Sequence, residues 1–125
     1  MSGAPLPAAL HDAVDDLHHD LGKAIVFLTR ATAPDDPAAL REALTDDILR
    51  TRRSGAAVEP AAAIWARRRP AALADDPDVR AIDAAFARLA RIDLAAPDAD
   101  LPAAAAAARA VADACRRLKA RCGRP

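Results

Sequence analysis

An all-α chain, folded as an antiparallel four-helix bundle with a short fifth helical segment, is the architecture this sequence predicts, and three observations predict it. Apolar residues recur at alternating steps of three and four along most of the chain, which is the helical period. Alanine is abundant and the only aromatics are Phe27, Trp65 and Phe86, so the core must be built from Leu, Ile, Val and Ala brought close together. That composition suits helices better than sheets. Proline falls where helices begin rather than inside the apolar periods. A length of 125 residues with 53% hydrophobic content fits one domain with a core of ordinary size. The expectation is a single helical domain over 1–125, with 1–6 and 123–125 as flexible ends.

The first helix is predicted over Pro7 to Thr32, where Leu10, Val14, Leu17, Leu21, Ile25 and Leu28 form one continuous seam. In "APDDPAAL" Asp36 can cap a second helix with Pro37 as its first residue; this helix runs to Arg53 with Leu40, Leu44, Ile48 and Thr51 on one side. "RSGAAVEP" breaks the pattern, and a short third segment from Pro60 to Arg69 carries Ile64 and Trp65 until Pro70 interrupts it. This is the short segment, expected as a cap or crossover. "LADDPDVR" repeats the capping arrangement with Asp76 and Pro77, opening a helix to Ile92 that aligns Val79, Ile82, Phe86 and Leu89. The last helix, Pro102 to Cys122, follows Asp100 and Leu101 and aligns Ala104, Ala108, Val111, Cys115, Leu118 and Cys122. The four long seams should converge on one core containing Leu17, Leu21, Leu44, Phe86, Val111 and Leu118.

Net charge is zero, so no overall pull towards nucleic acid or anionic lipid exists. The distribution is uneven. Residues 1–36 carry six aspartates against Lys23 and Arg30, whereas residues 103–125 carry five arginines and Lys119 against Asp113. Arg50, Arg52 and Arg53, and Arg67, Arg68 and Arg69 beside Trp65, suggest an anion-binding patch, but cations at helix C-termini also complement the macrodipole. With few aromatics for stacking, the composition argues against nucleic acid as a partner. The N-terminus has no signal-peptide pattern and no apolar run reaches the ~20 residues of a membrane span, so a cytoplasmic chain is expected. Cys115 and Cys122 lie seven residues apart on one helix, about 10 Å along its axis, too far for a disulfide. They read as core thiols.

Function turns on "LHHDLGK" at 17–23. With the apolar seam taken as the buried direction, His18 lies roughly 70° from its centre and His19 faces water. His18 shares an edge with His11 and Asp15, a spacing that can hold a metal only if another helix supplies a further ligand. Cys115 or Cys122 would be the soft candidates. His19 has Asp15 and Asp16 one turn before it and Lys23 one turn after. An imidazole among carboxylates and an ammonium can accept a phosphoryl group, the cation offsetting the phosphate charge. Gly22 removes a side chain from the adjacent turn, so another molecule can approach closely. The plainer reading makes these same residues a solvated face with i, i+4 pairs.

Over about six residues "HDLGK" at 19–23 resembles the phosphoacceptor helix of bacterial signalling proteins, in which histidine phosphotransfer domains carry H-x-L-K-G. That resemblance implies a four-helix bundle, His19 as phosphoacceptor, Asp20 as the adjacent acid and Lys23 as charge partner. No glycine-rich nucleotide box accompanies it, which leaves a passive relay. The same letters resemble the "HDIGK" of HD-type metal phosphohydrolases, which implies metal binding by the His-Asp pair. That family needs a further histidine some tens of residues upstream, and His11 is only eight residues before His19.

Phe27 points away from the seam, as does Val26 by a smaller angle, so a further segment or another subunit must cover them. Phe27 and Trp65 are the expected contact residues of a non-catalytic interaction or self-associating module. Its partner is then a protein or a further copy of the chain, with no cofactor and no membrane.

Overall fold

The alternating seam of the N-terminal segment does form a helix. A computed structural model describes residues 4–32, 58–94, 96 and 98–122, with Arg30 and Ala31 by backbone only. Among these residues the chain is helical and contains no strand. A single 3-10 turn at Ala8–Leu10 leads into α1 (His11–Ala31), followed by α2 (Val58–Arg68), a second 3-10 turn at Ala71–Leu73, α3 (Pro77–Ala90) and α4 (Leu101–Arg121). The helix expected over 37–53, with Leu40, Leu44, Ile48 and Arg50 to Arg53, lies outside the described residues.

Local chemistry explains the boundaries. Asp76 caps α3 by accepting from the Asp78 N–H at 2.9 Å, with Pro77 in the first turn, where its missing N–H costs nothing. Asp100, the farther of the two candidates before Pro102, caps α4 by accepting from the Ala103 N–H at 3.0 Å. α2 ends at Pro70, the last bond before it running from the Arg69 N–H to the Trp65 carbonyl. At the end of α1 the buried Thr32 hydroxyl donates back to the Leu28 carbonyl at 2.9 Å, which also accepts the Thr32 N–H, and to the Thr29 carbonyl at 3.2 Å, so the buried hydroxyl is itself satisfied.

One core joins the four helices. Val14, Leu17, Leu21, Ile25 and Leu28 of α1 meet Ala61 and Trp65 of α2, Val79, Ile82, Ala85, Phe86 and Leu89 of α3, and Ala104, Val111, Cys115 and Leu118 of α4. Leu17, Leu21, Phe86, Val111 and Leu118 therefore share the expected cluster, while Leu44 is outside the described residues. α1 packs against α2 and α4, and α3 packs most extensively against α4. The small residues Ala104, Ala107, Ala108 and Ala114 of α4 allow that close approach, and their burial replaces the bulk an aromatic core would supply.

Two expectations change. The segment over 60–69 is not a cap: α2 starts two residues earlier, runs for eleven residues and lays Ala61 and Trp65 into the core. Among the described residues, the short helical segments beyond the four helices are the two 3-10 turns. Ala4 to Leu6 are not a free end either. Leu6 is buried, its N–H donates to the Arg121 carbonyl at 3.0 Å, its carbonyl accepts from His11 Nε2 at 2.9 Å, and Ala4 O accepts from Arg121 Nε at 2.7 Å. A leucine one turn before a helix can reach the core, so its side chain ties the strap down.

Arg121 is the hub of the most buried ionic group described. Its guanidinium reaches both Asp76 oxygens, at 2.9 and 2.6 Å, and Asp78 Oδ2 at 2.9 Å, while Arg117 takes Asp78 Oδ1 at 2.7 Å. The Arg121 guanidinium holds the Asp76 carboxyl below the usual carboxylate range, and Asp76 in turn raises Arg121. Exposed pairs elsewhere, such as Arg116 with Asp113, contribute little.

Candidate functional site: the outer face of α1

The residues of α1 opposite the seam are Asp12, Asp16, His19, Lys23 and Val26, at steps of four, three, four and three, and all five are exposed. They form one stripe down the solvent side of the helix. His19 faces solvent in the middle of it and His18 is half-buried at its edge, as the angular argument expects. No side-chain hydrogen bond joins His19 or Lys23 to another described residue.

Ion pairs fence the stripe on both sides. Towards α4, Asp15 pairs with Lys119, and this contact holds the Asp15 carboxyl below its ordinary value. Towards α2, Asp20 accepts from Arg68 Nε at 3.0 Å and Nη2 at 2.9 Å, and Arg68 Nη1 lies 3.9 Å from Asp16. Of the residues that the phosphoacceptor resemblance assigns, His19 and Lys23 thus stand together on the open face. Asp20 is turned aside into the contact with α2. Its charge is used between helices rather than beside the imidazole.

Gly22 is half-buried beside the stripe, and a Cβ built on it would meet nothing within 4 Å. Its own fold has room for alanine there, although glycine inside a helix costs about 1 kcal/mol relative to alanine. Val26, at 53% exposure, is the exposed large hydrophobic residue among those described.

Of the two aromatics expected at an interface, Trp65 is used inside the fold. Trp65 is 5% exposed and its indole N–H donates to Asp83 Oδ1 at 2.8 Å. Arg69 grips the same carboxylate through Nε and Nη2, at 2.9 and 2.7 Å, so Asp83 is held below its usual value by Arg69 first and Trp65 second. Phe27 is half-buried and packs against the core from the flank of α1. Val26, noted in the sequence only for its smaller angle from the seam, is the large apolar side chain left exposed among the described residues.

The metal reading finds no assembled ligand set. Among the described residues no group of three or more His, Cys, Asp or Glu side chains is placed to hold a metal ion, His11, Asp15 and His18 included. Cys115 is buried in the core, and burial pushes its thiol up to about 11, the reverse of a thiolate ligand. Cys122 is half-buried, with its sulfur 3.6 Å from the Leu118 carbonyl. Among the described residues no helix is long and apolar enough to cross a membrane.

Set against known protein-family models, curated proteins and solved structures, the chain matches none of them. The fold and the site therefore define a class: an all-α chain whose long N-terminal helix presents a polar stripe with a solvent-facing histidine.

Proposed function

We propose that this chain is a small non-catalytic interaction module, an antiparallel four-helix bundle that docks a protein partner or a further copy of itself through the outer face of α1. Three sets of contacts support the bundle. The C-terminal end of α4 meets the start of α3 through Arg121 and Asp76, and meets the start of α1 through Lys119 and Asp15. The end of α2 meets the first half of α1 through Arg68 and Asp16. Each pairing opposes helix directions, and α2 takes the place of a fourth member.

The observation that carries the interaction reading is the stripe itself, with Val26 exposed beside an open glycine. Sedimentation velocity tests it. The wild type is expected to associate reversibly, and Val26→Asp to shift it to monomer with an unchanged far-UV circular dichroism spectrum. An assembly indifferent to Val26→Asp would overturn the assignment to this face.

A second reading rests on one observation, His19 in the middle of α1, exposed and without a hydrogen-bond partner among the described residues. There it serves as phosphoacceptor of a passive phosphotransfer relay, with Lys23 one turn away to offset the phosphate charge. A small-molecule phosphodonor should then leave an acid-labile label on the wild type and on His18→Gln, and none on His19→Gln. A monomeric chain that takes no label defeats self-association and the relay together.

A further inference from the structure

Resting on the interaction reading, we propose that the partner is a second copy of this chain, docked antiparallel across the outer face of α1 with the crossing point beside His19. The steps of four and three that relate Asp12, Asp16, His19, Lys23 and Val26 are those by which one helix presents a continuous seam to another.

The order of charges along the stripe selects the partner. Its N-terminal half carries Asp12 and Asp16, its C-terminal half Lys23. A two-fold axis between residues 19 and 20 sets Asp16 of each copy opposite Lys23 of the other, twice over, as a self-complementary interface requires. A parallel pairing would set aspartate on aspartate. Among the described residues Lys23 pairs with none, and Asp16, its side chain 63% exposed, meets Arg68 only at 3.9 Å. Asp15 and Asp20, held by Lys119 and Arg68, line the flanks instead. Gly22 adjoins the crossing and lets the second backbone come close, which accounts for a glycine that the chain's own packing does not need. Val26 loses its exposure in the same contact.

A single-helix crossing is at the small end of protein interfaces, below about 1,200 Å² in total, so the dimer is a weak one and must be sought at high protein concentration.

Charge exchange tests the arrangement. Lys23→Glu alone and Asp16→Lys alone should each sediment as monomer where the wild type dimerises. An equimolar mixture of the two should restore the dimer, because Glu at 23 then faces Lys at 16 and the native pair survives on the other side. Should Asp16→Lys disturb Arg68 and the fold, Asp16→Asn keeps the test open, and it should weaken dimerisation at least several-fold. A wild type that dimerises while both single variants still dimerise would overturn this register and leave self-association standing. A wild type monomeric at every concentration would overturn the second-copy partner itself.

Discussion

Leu21→Ala is expected to lower the stability of the folded chain by about 2–5 kcal/mol, the range for a leucine removed from a packed interior. Leu21 has no exposed surface and sits in the middle of the α1 seam, between Leu17 and Ile25, in the cluster shared with α2, α3 and α4. Truncation removes transfer free energy and leaves a cavity on the side of α1 that α2 and α4 pack against. The total stability of a domain this size is roughly 5–15 kcal/mol, so the variant should show a clearly lower urea midpoint. A loss below about 0.5 kcal/mol would mean that α1 is not integral to the fold, against the usual cost of a core leucine.

Arg121→Ala is expected to be as damaging, for an electrostatic reason. Arg121, Asp76 and Asp78 have side chains only 7, 9 and 11% exposed. Removing the guanidinium strands the Asp76 carboxylate in a poorly hydrated position and leaves Asp78 with Arg117 alone, a loss that typically costs about 3–5 kcal/mol. It also frees the Ala4 carbonyl that anchors the N-terminal strap. Arg116→Ala, at an exposed pair with Asp113, should cost less than about 1 kcal/mol and serves as the control. The pH dependence has a definite direction. Asp76 titrates below its ordinary value of 3.8 in the folded chain, so its contribution is complete above that value and is lost as pH falls through the depressed one. Wild-type stability should thus decline in acid below about pH 4, the ordinary range of an aspartate, and Arg121→Ala should show a shallower decline there.

What could be read from the sequence is what local spacing determines. The α1 seam, the Asp76 cap with Pro77 and the stop at Pro70 each depend on residues within a turn or two, and each is found in place. The orientations of His18 and His19 follow from the same helical arithmetic. What was not legible depends on distant parts of the chain. Trp65 looks like a surface aromatic on a short segment until Asp83, eighteen residues on, supplies an acceptor for its indole. Asp20 looks like an acid beside His19 until Arg68 claims it from 48 residues away. Leu6 looks like part of a loose end until α4 returns to meet it. No periodicity encodes such pairs, because they follow from which helices become neighbours.

The central claim is that the outer stripe of α1 is a binding face, and a two-dimensional amide NMR spectrum followed through a dilution series tests it most directly. Self-association through this face predicts concentration-dependent shifts at Asp16, His19, Gly22, Lys23 and Val26, with the outward residues of α3 and α4 unmoved. Spectra that do not change with concentration, or shifts gathered on α3 and α4 instead, would contradict it.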